Sequence, residues 1–274
     1  MSENPFFIFS LAVAALYLMI SFSAAAFFFS GRRGYSIAAE GLILLALPLH
    51  LAYLVAWGVS GQKVPLTSFF EALSVISFFL TLISSIFYIA LKQKSVAVFA
   101  YPVIFVFQLL ASLGPRIVYL DEALFRSPLF GSHTVTTLLG YAAFAYSMIL
   151  GLMYLHLFGE LKKKRLRWMF DRLPPLGLLE RMNDIALTAG FLFLTAGIAL
   201  GAVLAVRVWG GIPLGDPKIL LSALLWLLYV IGIVLRRSFK WSAKKQSYFS
   251  IVGFVIVVVF MASVRLLLPT VHKF

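Results

Sequence analysis

Imidazole is a ligand suited to haem iron, and this chain carries only four: His50, His133, His156 and His272. His133 opens the fifth of eight long apolar runs, and His272 follows the last of them. Between the two lies a short loop, Trp209 to Lys218, holding Gly210, Gly211, Asp216 and Pro217. If successive runs cross a membrane, both histidines and this loop share one face. Two imidazoles at one depth can be the axial ligands of a single iron, provided their helices approach. His133 falls in the first turn of its run, where the partial positive charge of the helix start disfavours imidazolium. The neutral ring is the form that binds metal. The plainer alternative is a polar residue at a helix end facing lipid headgroups.

The loop reads in two ways as well. Asp216 followed by Pro217 is a helix-start signal, with the carboxylate as N-cap and proline at the first helical position. Trp209 alone is an interfacial belt residue. Taken together on the face of His133 and His272, Trp209, Gly210, Gly211, Asp216 and Pro217 form an apolar shelf for a large planar ligand. Arg116, Arg126, Arg207 and Arg265 are cations on that face able to pair with its carboxylates. His50 is different, lying deep within the second run, just after Pro48. A polar ring at that depth faces the bundle interior and either binds something or pairs with a neighbouring helix carbonyl. His156 sits beside a basic cluster and reads as interfacial.

These residues need a scaffold, and composition sets its class. The chain is 62% hydrophobic and 12% charged, with mean hydropathy +1.01. Runs of about 20 apolar residues, enough to cross roughly 30 Å of hydrocarbon, recur throughout. Eight are expected, near 6–29, 38–59, 69–91, 96–114, 133–158, 184–206, 218–235 and 249–268. The expected fold is therefore all-α: a polytopic bundle of eight transmembrane helices, with residues 1–274 forming one domain. The first run lacks a small-residue cleavage site and is expected to stay as a helix.

Net charge is +13, and its distribution speaks to orientation rather than nucleic acid. Sixteen of the 23 lysines and arginines fall in the odd-numbered connections, including Arg32, Lys92, Lys94, Lys162 to Arg165, Arg172 and Arg236. The positive-inside bias then puts these connections in the cytoplasm and both termini outside. The basic surface orients the chain and meets anionic lipid; no nucleic-acid partner is expected. Segment 159–183 reads as an interfacial amphipathic stretch, or as a docking surface for a cytoplasmic partner. Ser68 and Glu71 fit a capping box for the third helix, and Glu71 also faces the outer compartment. The chain has no cysteine, so it offers no thiol chemistry of its own.

Several stretches resemble the CcsA/HemX-like cytochrome c assembly family of haem-handling membrane proteins. Gly61 through Ser74 looks like the family's segment before its third span. His133 through Ala142 looks like the family's stretch whose histidine is an external haem ligand. Trp209-Gly210-Gly211 with Asp216-Pro217-Lys218 looks like the tryptophan-rich haem-binding loop. His272 falls where the family keeps a second external histidine. Pro213 and Gly215 stand where fuller loops carry further tryptophans, Ile219 replaces a glutamate, and no histidine occurs late in the seventh run. These departures resemble the HemX-like branch. The resemblance implies haem binding or trafficking at the outer face of a bacterial inner membrane during c-type cytochrome biogenesis. The haem would be b-type and non-covalent, held by His133 and His272, with His50 as a transient site or part of a route. Covalent attachment to an apocytochrome c would need a second membrane component, so the chain alone is not expected to be an enzyme. A membrane regulator or scaffold for a haem-biosynthesis enzyme, and a transporter of another amphiphile, remain as alternatives.

Overall fold

The computed structural model describes residues 5–61, 64, 66, 68–114, 123–164 and 172–266. His272 therefore lies outside the described residues, as do Arg116 and the side chain of Arg265. Among the described residues, eight helices are long and apolar enough to span a membrane, which makes this a multi-pass membrane protein. They are α1 (Pro5–Ser30), α2 (Arg33–Gly61), α3 (Phe69–Ser85), α4 (Val96–Leu113), α5 (Pro128–Lys162), α6 (Leu176–Trp209), α7 (Pro217–Arg237) and α8 (Ala243–Leu266). Every one overlaps an apolar run expected from the sequence. A π-helical turn, Ile86–Ala90, extends α3 to a 22-residue apolar stretch. Helix is what hydrocarbon demands, because a backbone amide there finds no water and must bond within its own segment.

α5 and α6 run to 35 and 34 residues, so each is roughly 50 Å long and overshoots a hydrocarbon core of about 30 Å. Much of segment 159–183 is thus helical: α5 reaches Lys162 and α6 starts at Leu176. Residues 165–171 lie outside the described set.

The chain packs as two compact units. The first holds α1 to α4 and residues 156–178. In it α1 lies against α2 and α4, and Tyr17, Ile20, Ile43, Leu80 and Ile104 are fully buried. The second unit holds α5 up to Leu155, α6 from Leu179, α7 and α8. Most of the α5 apolar window is buried, 78% against 17% for α7, so α5 is core and most of the α7 surface is left uncovered by the described residues. The face of Tyr229 stacks on Phe144 with centroids 3.6 Å apart, and Phe249 meets it edge-on. These rings tie α7 and α8 to α5. Polar ties add to them: Ser147 and Ser250 both donate to Asn183 Oδ1, at 2.6 and 3.0 Å.

Close approach of α5 to α6 depends on glycines. A Cβ on Gly190 would sit 2.6 Å from the Phe144 ring and 3.1 Å from the Gly140 carbonyl oxygen. Small residues let membrane helices pack backbone to backbone, where dispersion contributes what the hydrophobic effect cannot. Gly190→Ala is expected to lower stability by about 1–3 kcal/mol through overpacking. Gly159→Ala, where nothing lies within 4 Å of the added carbon, is expected to keep stability or raise it by up to about 1 kcal/mol. Thermal unfolding of the two variants in one detergent checks the pair.

Candidate functional site

His133 sits in the second turn of α5, half-buried against α6. Its Nδ1 is 2.8 Å from the Gly197 carbonyl oxygen. A carbonyl only accepts, so Nδ1 carries the proton. In the neutral ring Nε2 then holds the lone pair, the arrangement by which a carbonyl behind a histidine prepares it for metal. Space for the ring comes from Gly201, where a Cβ would lie 2.7 Å from His133 Cε1. One turn earlier, a Cβ on Gly197 would lie 2.3 Å from Thr137 Oγ1. Gly197 and Gly201 are four apart, a small-xxx-small pair that opens a groove on α6. Sequence reasoning passed over both, although their spacing is the signal that could have found them.

The loop after α6 stands beyond this groove. Trp209 is eight residues past Gly201, roughly 12 Å along the helix axis. Gly210 ends α6 with φ +74°, and its amide donates to the Val206 carbonyl at 3.0 Å. That left-handed position favours glycine, so Gly210 is required by the helix end itself. No atom lies within 4 Å of a Cβ built on Gly211 or Gly215. Trp209, Ile212 and Leu214 are exposed, giving the loop an apolar surface. Asp216 caps α7, accepting from the amides of Lys218 at 2.9 Å and Ile219 at 3.4 Å, with Pro217 as the first helical residue. Lys218, at the start of α7, is within electrostatic reach of His133. The second unit thus gathers His133, the α6 groove and the end of the loop. Whether His272 joins them lies outside the described residues.

Among the described residues, no three His, Asp or Glu side chains gather to hold a bare metal ion. Haem asks less of the protein, since the porphyrin fills four positions and leaves one or two for side chains. The Nε2 of His133 fits that need.

His50 has a different setting, in the first unit. It is wholly buried, with Nδ1 2.6 Å from Tyr17 Oη and Nε2 3.0 Å from Ser74 Oγ. Ser74 donates to Gln108 Oε1 at 3.0 Å, and Gln108 Nε2 donates to Ser10 Oγ at 3.1 Å. Ser10 is 2.7 Å from Ser112 Oγ, which itself donates to the Gln108 carbonyl. Each hydroxyl has one proton, so the chain has a single direction. Tyr17 donates to Nδ1, Nε2–H donates to Ser74, and Ser10 donates to Ser112. The partners of His50 are side chains from α1 and α3, not the helix carbonyl expected beside Pro48. Sequence reasoning missed Tyr17, Ser74, Gln108, Ser10 and Ser112; the signal was polar groups inside apolar runs.

Two further residues are placed. Glu71 Oε1 accepts from Trp57 Nε1 at 2.8 Å, joining the start of α3 to the end of α2. His156 is exposed and lies 3.5 Å from Glu160 one turn on, as an interfacial residue would.

The fold defines a polytopic, all-α membrane protein. The family model for cytochrome C assembly protein matches residues 35–272, and the chain belongs to that family. It is 27% identical to the cytochrome c biogenesis protein CcsA of Chlamydomonas reinhardtii, over 89% of this chain and 73% of that one. It is 26% identical to the protein HemX of Brevibacillus brevis, over 85% of this chain and 86% of that one. A shorter match, 34% identical, joins it to CcsA of Prochlorococcus marinus (strain NATL1A), covering 35% of this chain and 30% of the relative.

Ser74→Ala removes the link between His50 Nε2–H and Gln108 Oε1, leaving two buried polar groups without that partner. A loss of about 1–3 kcal/mol is expected. A double-mutant cycle with Gln108→Leu is expected to recover part of it, and unfolding measurements on the four proteins check the coupling.

Proposed function

We propose that this protein binds haem non-covalently at the outer face of a bacterial inner membrane, as a step in c-type cytochrome biogenesis. The observation that carries this reading is the Nδ1–H bond from His133 to the Gly197 carbonyl, which leaves Nε2 as the ligating atom. His272 is the proposed second ligand. The exposed loop of Trp209, Gly210 and Gly211 is the proposed shelf for the porphyrin, with Asp216 and Pro217 holding its far end at the head of α7. Lys218 and Arg207 supply positive charge for the propionates. The bound group would supply redox-active iron to be delivered to an apocytochrome c. This chain's part is to orient His133 by its Nδ1–H bond to the carbonyl, and to present a face apolar enough to hold the macrocycle.

His50 enters the reading only by exchange. Both of its nitrogens are engaged, so ligation there requires loss of the Tyr17 or the Ser74 bond. A chain without cysteine supplies no reducing thiol for covalent attachment. A second membrane component is therefore proposed as the partner for that step.

A second reading, as a membrane scaffold for a haem-biosynthesis enzyme, draws on the near full-length likeness to HemX. It also draws on the exposed Lys162, Lys163 and Lys164. The two readings part experimentally. Protein purified from haem-replete cells is expected to show a Soret band that His133→Ala with His272→Ala abolishes. Gly201→Ala, which pushes the His133 ring off the α6 groove, is expected to lower haem occupancy about tenfold, as loss of outer-shell support does elsewhere. Added imidazole is expected to restore part of the His133→Ala signal. A wild type with no Soret band, or a band indifferent to both histidines, sinks the haem reading. Loss of function on neutralising Lys162 to Lys164, with the histidine variants normal, favours the scaffold.

A further inference from the structure

A cavity in the first unit is unrelated to the histidines. It has a volume of about 410 Å³ and opens among the end of α1, the turn before α4 and the segment leading to α6. Three cations line it, Lys92, Lys94 and Arg172, and no carboxylate does. Its apolar wall is made by Phe27, Phe28 and Leu173, continued by Pro174 and Pro175.

Two of the cations are held rather than loose. Lys94 Nζ donates to Ser36 Oγ at 2.5 Å and lies 5.8 and 5.5 Å from the Phe27 and Tyr88 ring centroids. Its nearest carboxylate, Glu40, is 3.9 Å away and is not part of the lining. The Arg172 guanidinium donates to the carbonyl of Phe28, one of the last carbonyls of α1, which have no partner within the helix. Lys92 occupies a left-handed backbone position, φ +55°, at the exposed rim. Snorkelling lysines on a convex surface fan outward into water; here three positive groups converge on a concavity with an apolar side. Helix ends frame it, and its three cations belong to the odd-numbered connections that hold most of the chain's lysines and arginines, which argues for headgroup depth.

We infer that this cavity is a binding site for the phosphate headgroup of an anionic phospholipid, with the acyl chains leaving along the Phe27–Phe28 side. The phosphate sits among Lys92, Lys94 and Arg172, and the apolar wall takes the glycerol and first methylenes. Basic residues at the inner surface attract anionic lipid. A cavity with Lys94 and Arg172 pinned in place makes that attraction specific to one position.

The test uses the full chain, delipidated in a neutral detergent, with unfolding temperature followed against added phosphatidylglycerol, phosphatidylcholine or inorganic phosphate. Phosphatidylglycerol is expected to raise the midpoint in a saturable way, and the other two are not. In Lys92→Asn with Arg172→Gln, the half-saturating lipid concentration is expected to rise on the order of thirtyfold, the effect of two basic residues at a membrane surface. Asparagine accepts the left-handed backbone at position 92. Lys92→Arg with Arg172→Lys keeps both charges and is expected to stay near wild type. If the double-neutral variant does not fold, Lys92→Asn alone at the exposed rim is expected to show about a fivefold rise. An unchanged lipid response in the neutral variants overturns the proposal. So does an equal response to phosphatidylcholine, or to inorganic phosphate alone.

Discussion

Hydrocarbon offers no water to a polar group, so a donor or acceptor placed in it is costly unless it finds a partner inside the protein. At the backbone this constraint produces eight helices. Among side chains it produces the line from Tyr17 through His50, Ser74, Gln108 and Ser10 to Ser112, in which each group hands on one proton and takes one. The line links all four helices of the first unit. Because its direction is set by proton counting, replacing any member leaves a neighbour short, and the bundle gains a preferred register that apolar contacts alone would not impose.

The second unit answers the same constraint with backbone rather than side-chain partners. Glycines on α6 let α5 come close enough for the His133 ring to reach a main-chain carbonyl that is otherwise part of the helix ladder. One small-residue seam therefore does two things, bringing the helices together and choosing the tautomer of the histidine. Removing the Cβ at Gly201 is what admits the ring at all.

Charge supplies the remaining order. Cations crowd one set of connections, and some are fixed by aromatic faces or helix-end carbonyls instead of pointing freely into solvent. Arg236 shows the paired case, donating to Glu180 at 2.5 Å near the end of α7. Pairing and pinning decide where positive potential collects, which a count of lysines and arginines does not.

Much of the fold was legible in the chain itself. Apolar run length marked each of the eight described helices, because crossing a fixed thickness of hydrocarbon needs a minimum length of helix. Where helices continue past the hydrocarbon, as α5 and α6 do, it missed their ends by up to eight residues. Asp216-Pro217 marked the start of α7, since capping is settled within a few residues. The identity of His133 as a singular residue was also plain, but its expected place in the first turn was not met: α5 starts at Pro128 and the ring falls in the second turn. What local sequence could not carry was the partner of each polar group. Gly197 is 64 residues from His133, and Ser10 is 102 from Ser112. Nothing in their neighbours announces the meeting. Only the packing of α5 on α6 decided which nitrogen of His133 bears the proton. Only the packing of α1 to α4 turned His50 from a lone buried ring into the middle of a satisfied chain.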